Sequence, residues 1–255
     1  MKNLFISIDV EPDIHRGSYD SLRAIWKIRK LLKKYKVKAT LFTTCDCIKK
    51  DPKLFQQFKK DGHEISLHGY EHKRFDVMSR TEKEENLDKS IKCFKKYLKI
   101  KPLGFRGPQH SADKETIRLL IKKGFLYDSS LAPWNFYHLL FFWKIKIDFK
   151  DNFMPLRTHV RHGLLEIPIT SFILPFSSLT FRILPKPLLN LYFRFISVFE
   201  NPVFLMHSWD LIEMPYSKIY RLGPLDKFLD KFEYMLNYYF SKKKYFANIE
   251  EICTQ

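Results

Sequence analysis

The chain has 255 residues, a net charge of +17 and an aromatic content of 16%. The aromatic content excludes an intrinsically disordered chain, because disordered segments are poor in aromatic residues. Four cysteines are too few for a disulfide scaffold, and eight glycines exclude a collagen-like repeat. The excess of Lys and Arg indicates an anionic partner, for which nucleic acid and a membrane surface are the two first candidates.

Strand and helix patterns alternate along the chain. Short apolar runs predict strands at 4–8, 38–43, 63–68, 103–106, 125–128, 164–169, 202–207 and 245–249. Helices are predicted over 18–35 with Ser18 as N-cap, from Asp51-Pro52 to Gly62, behind a capping box at 81–84, up to Gly124, and over 224–240. These units predict parallel strands with right-handed crossovers, and hence an α/β fold: a single-domain, distorted (β/α) barrel of about seven strands over residues 1–255.

Residues 135–200 interrupt this pattern. Their aromatic and aliphatic composition predicts an insertion of long loops with one apolar helix near 186–198. The N-terminal segment is typical of a core strand rather than a signal peptide, and no apolar run reaches the ~18 residues of a membrane span. We therefore expect a cytoplasmic protein. Two roles stay open for the aromatic and basic insertion: core and lid of a soluble site, or contact with the inner face of an anionic membrane.

Reactive side chains stand at the ends of five predicted strands. In a β/α barrel the active site lies at the carboxyl ends of the strands, so these side chains are expected to converge. They are Asp9 with Glu11, His68 with His72, Arg106, Asp128 and His207. Each of them alone is compatible with an ordinary buried polar residue, but all five ending strands in this way by chance is improbable.

Two of these residues, His68 and His72, are four positions apart. On one helical turn their imidazoles would face the same way, close enough to share an ion. A carboxylate from the first strand would complete a set of two histidines and one carboxylate. Such a set binds a divalent metal and leaves positions open for water and substrate, as a hydrolytic site requires.

The same residues lie in motifs that resemble those of the metal-dependent polysaccharide deacetylases, the NodB-like carbohydrate esterases that remove N-acetyl groups from sugars. The motifs occur in order from residue 4 to about residue 210. They are Asp9-Val10-Glu11; Gly62-His63-Glu64-Ile65 leading to His68 and His72; Arg106-Gly107-Pro108; Tyr127-Asp128-Ser129-Ser130 with Trp134; and Leu205-Met206-His207. The first motif is similar to that of the Asp-Val-Glu branch.

The resemblance implies a metal site. His68 and His72 would bind one divalent ion, with Glu11 as the third ligand and Asp13 as the alternative carboxylate. Zinc is the first choice for these donors, and cobalt, manganese, iron and nickel also suit them.

The resemblance also implies catalytic roles. Asp9 would be the general base that takes a proton from the attacking water, and Arg106 would keep it ionised and aimed. His207 would be the general acid for the departing sugar amine, oriented by Asp128.

Three further residues would face the substrate. The amide nitrogen of Gln109 would stabilise the oxyanion next to Pro108, and Trp134 would form a wall of the acetyl pocket. The implied activity is metal-dependent removal of an N-acetyl group from a polysaccharide, a glycan precursor or a lipid-linked saccharide.

Two alternatives stay open: a deformylase-like or allantoinase-like hydrolase of another C–N bond, and a basic, non-catalytic surface-binding module. Nucleic acid is the less favoured partner, because the cations are spread over helix faces and no nucleic-acid motif occurs. The sequence leaves the oligomeric state open.

Overall fold

The computed structural model describes residues 3–13, 16–134, 153–214, 221, 223–242 and 244–253. The strands in these ranges are β1 Asn3–Val10, β2 Ala39–Thr43, β3 Glu64–Leu67, β4 Gly104–Phe105, β5 Tyr127–Asp128, β6 His159–Arg161, β7 Leu164–Glu166, β8 Ser171–Phe172, β9 Leu174–Pro175, β10 Val203–His207 and β11 Tyr245–Ala247. The helices are α1 Asp20–Lys34, α2 Cys45–Lys50, α3 Pro52–Lys60, α4 Arg80–Leu98, α5 Lys114–Lys122, α6 Ser178–Ile183, α7 Lys186–Ile196, α8 Leu225–Ser241 and α9 Glu250–Cys253.

Nine of the strands form one sheet in the order β10-β1-β2-β3-β4-β5-β7-β6, with β11 also pairing with β1. The pairs are parallel except for the antiparallel β6–β7 pair, and β8 and β9 form a separate hairpin. Within the described ranges the end strands β6 and β10 do not pair with each other, so the sheet is a half-barrel. The predicted α/β class and distorted (β/α) barrel are confirmed.

Strand β1 shows how the sheet separates its core from its site. Because side chains alternate across a strand, Leu4, Ile6, Ile8 and Val10 share one face and pack into the large core that the helices cover. Phe5 lies on the other face, in a smaller cluster with Phe42 and Tyr127. Asp9 lies on this second face within β1 and Glu11 continues it just past the carboxyl end, so both are directed to the same side.

Two helix starts differ from the sequence-based prediction. The N-cap of α4 is Ser79, whose hydroxyl accepts from the Glu82 N–H while the Glu82 carboxylate accepts from the Ser79 N–H. This capping box lies two residues before the predicted one at 81–84. At the start of α1, the first N–H groups donate to the Asp13 carboxylate rather than to Ser18, the predicted N-cap. Asp13 Oδ2 accepts from the Asp20 N–H at 2.8 Å.

The predicted insertion over 135–200 is described from residue 153 onward, and 135–152 lie outside the described residues. The predicted apolar helix is α7, while β7 joins the main sheet beside β5. Part of this stretch therefore completes the barrel. No helix among the described residues combines the length and apolarity needed to cross a membrane. That the whole chain is one domain stays a prediction.

Candidate metal and catalytic site

Glu11, His68 and His72 come together just beyond the ends of β1 and β3. One carboxylate oxygen of Glu11, Oε2, lies 3.2 Å from Nε2 of His68 and 2.6 Å from Nε2 of His72. One ligand atom from each residue can be chosen so that all three lie within 4.8 Å of one another. Burial opposes ionisation of Glu11, but the two imidazoles hold its pKa well below the ordinary value. An anionic carboxylate facing two imidazoles is a donor set that suits a divalent cation.

The loop after β3 brings the two histidines together. They are not on a helical turn, as the spacing predicted, but on a bend that begins at Gly69, whose φ is +87°. A Cβ at this position would lie 2.9 Å from the Glu71 carbonyl oxygen, so only glycine fits the bend. The resulting distance between the His68 and His72 ring centroids is 5.3 Å.

The backbone around Arg106 selects the tautomer of His68. Nδ1 of His68 lies 2.8 Å from the Arg106 carbonyl oxygen, which can only accept a hydrogen bond. Nδ1 therefore carries a proton, and Nε2 is the ring nitrogen that faces Glu11 and could bind a metal ion. Such an outer hydrogen bond is the usual support of a metal-binding histidine.

Glu11 rather than Asp13 is the carboxylate in this cluster. Both oxygens of Asp13 are used at the start of α1, where Oδ2 accepts from the Ser18 hydroxyl and Oδ1 from the Ser21 N–H at 3.2 Å. Glu11 is therefore the carboxylate that lies beside both histidines, and its binding of a metal ion stays a prediction.

Asp9 lies beside this cluster and is paired with Arg106. Nη1 of Arg106 donates to Asp9 Oδ1 at 2.7 Å, while Asp9 Oδ2 lies 4.0 Å from Nε2 of His68. Burial would raise the pKa of Asp9, but Arg106 and then His68 lower it below the ordinary value. Asp9 is therefore an ionised carboxylate with one oxygen held and the other directed to the metal ligands.

The Arg106 guanidinium is itself fully buried and fixed from several sides. It donates to the Ser7 hydroxyl at 3.0 Å, to the Ser129 carbonyl at 2.9 Å and to the Ser129 hydroxyl at 2.8 Å. Its Cζ lies 4.1 Å from the centroid of the Phe42 ring. Because this guanidinium is held rigidly and is permanently charged, it fixes the orientation of the Asp9 carboxylate.

His207 ends β10 and is the register partner of Asp9 on the neighbouring strand. The carboxylate beside it is Asp210, whose Oδ2 lies 3.6 Å from His207 Nδ1 and accepts from the His207 N–H at 2.8 Å. Burial alone would lower the pKa of His207, but Asp210, with Glu11 and Asp9, raises it to about 9. These carboxylates therefore favour the protonated imidazole.

This contact corrects the role predicted for Asp128. Asp128 Oδ2 accepts from Nη2 of Arg161 at 2.7 Å, and its Oδ1 accepts from the Ser130 hydroxyl at 2.6 Å. Arg161 comes from β6 and also lies 3.1 Å from the Glu166 carboxylate. Asp128 thus anchors the β6–β7 hairpin to the barrel, and Asp210 is the carboxylate that faces His207.

Trp209 is a second residue that the sequence reasoning missed. Its Nε1 donates to Glu11 Oε1 at 2.9 Å, and its ring is stacked on His207 with centroids 4.2 Å apart. Trp209 and Asp210 both lie in the 3-10 turn Ser208–Leu211 that follows β10. Their position directly after the strand end carrying His207 was the available signal.

The predicted substrate-side residues lie in two places. Pro108 is buried and accepts from the Ser111 hydroxyl at 2.6 Å, and Gln109 beside it is exposed in the left-handed region with φ 52°. Trp134 packs against Phe153 and Phe172, with ring centroids 5.2 and 6.4 Å away. The geometry therefore locates these side chains, while their contacts with substrate stay predictions.

Comparison with known proteins agrees with this arrangement. The sequence model of the family described as polysaccharide deacetylase matches residues 9–127, which include all three proposed metal ligands. A peptidoglycan deacetylase from Helicobacter pylori is 33% identical over 168 residues, which are 63% of this chain and 57% of that protein. Over residues 9–127, the chain is similar to the polysaccharide deacetylase family.

The structural matches to solved proteins of the same fold cover nearly the whole chain. A protein assigned as a polysaccharide deacetylase from Mycobacterium smegmatis matches with a TM-score of 0.68 at 18% identity, covering 99% of this chain and 90% of that one. An allantoinase matches with the same TM-score at 15% identity and the same two shares. At these identities the likeness shows the fold alone. The chain spans only 36% to 57% of the lengths of the curated relatives it matches.

Trp209→Phe is expected to weaken metal binding about 10–100-fold. The variant removes the N–H that orients Glu11 but keeps an aromatic ring on His207, and outer hydrogen bonds to metal ligands have effects of this size. Competition with a chromogenic chelator measures the affinity. Trp26→Phe, at a partly exposed site on α1, is the matched control. An unchanged affinity in Trp209→Phe would show that Glu11 does not need this hydrogen bond.

Asp210→Asn is expected to lower the pKa of His207. The amide keeps the shape of the side chain but removes the negative charge that raises this pKa, so protonated His207 is lost at a lower pH. The alkaline limb of the kcat/KM profile should therefore move toward neutral pH. Asp128→Asn is the comparison that separates the two assignments. If Asp128→Asn moves the limb and Asp210→Asn does not, Asp128 is the partner of His207.

Proposed function

We propose that this protein is a metal-dependent hydrolase that removes N-acetyl groups from a sugar in a polysaccharide, a glycan precursor or a lipid-linked saccharide. The observation that carries the proposal is the convergence of Glu11, His68 and His72 next to Asp9, which Arg106 keeps ionised. The family model that matches residues 9–127 is described as polysaccharide deacetylase, and the similar protein from Helicobacter pylori is named a peptidoglycan deacetylase.

Glu11, His68 and His72 would hold one divalent ion, with zinc as the first candidate. When bound there, the ion supplies Lewis-acid polarisation of the acyl oxygen and lowers the pKa of water in the site to roughly 7. Two imidazoles and one carboxylate leave positions open for water and substrate, which a catalytic rather than a structural site requires.

The neighbouring residues supply the proton transfers. Asp9 takes a proton from the attacking water through the oxygen that Arg106 leaves free. As the C–O bond to the acetyl carbon forms and the C–N bond breaks, His207 gives its proton to the sugar nitrogen. Asp210 stabilises the protonated form of His207 before this step. The products are acetate and the protonated sugar amine. Asp9 then releases its proton to solvent and His207 takes one up, so atoms and charge balance over one turnover.

The experiment is to offer metal-loaded protein a panel of N-acetylated sugars, nucleotide sugars and lipid-linked saccharides, with acetate as the readout. Acetate from at least one member supports the proposal. Formate from formylated sugars, or ring opening of allantoin, without acetate from any sugar would favour the other C–N hydrolases. If the metal-loaded protein releases no product from any substrate, the non-catalytic binding module is the better account.

A further inference from the structure

Helix α7 is apolar on two faces. One face is packed into the core and consists of Leu189, Phe193 and Ile196. On the opposite face Leu188 is 50%, Leu191 65% and Phe195 38% exposed. Val198 continues this row beyond the end of the helix with 64% exposure. The spacing of three, four and three residues is that of one helical face, which is about 15 Å long at 1.5 Å per residue.

The β8–β9 hairpin extends this exposed row. Phe172 and Ile173 at the turn are 38% and 56% exposed, and the Phe172 ring centroid lies 5.4 Å from that of Phe195. We call these residues together the apolar face: Phe172, Ile173, Leu188, Leu191, Phe195 and Val198. Contiguous apolar surface of this kind is uncommon on a monomeric soluble protein and marks a docking site.

The stretch of chain that carries the apolar face is basic, while Asp230 on α8 pairs with its Lys186 and the exposed Glu200 follows Val198 by two residues. No Asp or Glu occurs between Glu166 and Glu200, whereas the same stretch contains Lys186 and Arg194 at the surface and Arg182 in the interior. Arg194 is exposed beside the row of Leu191 and Phe195. Lys186 is partly exposed and is paired with Asp230 at 2.7 Å, so Arg194 is the stronger cation of the two at this surface. The chain as a whole carries +17.

We propose that the apolar face docks on a membrane surface that contains anionic lipids. Exposed Leu and Phe side chains flanked by cations match the boundary between acyl chains and anionic headgroups, and carboxylates that headgroups would repel are missing from this stretch. A helix whose other face is buried in the protein lies flat on such a surface and does not cross it. The proposal concerns binding and is independent of the proposed function.

Flotation with vesicles tests it on the full-length protein. Wild type is expected to float with vesicles of phosphatidylcholine and phosphatidylglycerol and to bind vesicles of phosphatidylcholine alone more weakly. Replacing Leu188 and Leu191 together with Ser should lower the partition coefficient for anionic vesicles at least about tenfold. Arg194→Gln should lower it about fivefold, and less at high salt.

The matched control replaces Val77 and Val160 with Ser, because both are similarly exposed at other surfaces, 67% and 69%. This control should bind as wild type, and all variants should keep the wild-type Tm. Wild type that stays with the soluble fraction, or a Leu188 and Leu191 variant that binds as wild type, would overturn the proposal. The proposal would also be overturned if wild type is a dimer that does not bind vesicles and the Leu188 and Leu191 variant is a monomer. A second copy of the chain would then be the occupant of the apolar face.

Discussion

Asp9→Asn is expected to lower kcat by about 10²- to 10⁴-fold, the usual contribution of a general base, while the protein still binds its metal. The amide oxygen can still accept from Arg106, so the buried contact at 2.7 Å is preserved. An amide does not take a proton from water at neutral pH. Acetate release and metal content, measured on the same preparation, give both quantities.

Asp13→Asn is the control for this substitution. Asp13 is buried four residues further on, but it caps α1 and contacts neither metal-binding histidine through the hydrogen bonds of its two oxygens. This variant should keep wild-type kcat at a small cost in stability, because asparagine is also a good capping residue. If Asp9→Asn turns over as wild type with metal bound, Asp9 is not the base.

His72→Ala is expected to have the second large effect, loss of the metal ion. His72 is one of the three candidate ligands, so its removal should weaken metal affinity by more than the loss of an outer hydrogen-bond partner, which costs about 10–100-fold. Its side chain is 26% exposed, and truncation therefore leaves the core intact. Metal per chain after dialysis, by elemental analysis, and Tm in the presence and absence of zinc are the two measurements.

His162→Asn is the matched control for His72→Ala. His162 is exposed and has φ 52°, a conformation that asparagine tolerates. This variant should keep one ion per chain and the wild-type dependence of Tm on zinc. A His72→Ala protein that retains metal with wild-type affinity would mean that other residues hold the ion.

The sequence predicted the site best where it depends on strand periodicity. Asp9 and Glu11 are two positions apart on β1, so both face the interior of the half-barrel, and parallel strands put His68, Arg106 and His207 at the same edge. The alternation of side chains and the direction of the strands can be inferred from the local sequence pattern. For this reason the sequence alone could predict that these residues lie close together.

The sequence did not show which polar side chain each site residue contacts. Asp128 and Asp210 both lie close to strand ends, and nothing in their spacing shows that Arg161 pairs with Asp128. That pairing depends on the β6–β7 hairpin, which returns from a stretch read as an insertion. The arrangement of His68 and His72 depends in the same way on the bend at Gly69, because a four-residue spacing alone does not distinguish a bend from a helical turn.

Acetate release measured against bound metal tests the central claim most directly. Metal-stripped protein is offered an N-acetylated oligosaccharide while zinc is added back in steps, with Asp9→Asn in parallel. We predict that the rate rises in proportion to bound zinc and levels off near one ion at the Glu11, His68 and His72 cluster. Acetate release that is independent of metal, or zinc-saturated wild type no faster than Asp9→Asn, would contradict the assignment of this site.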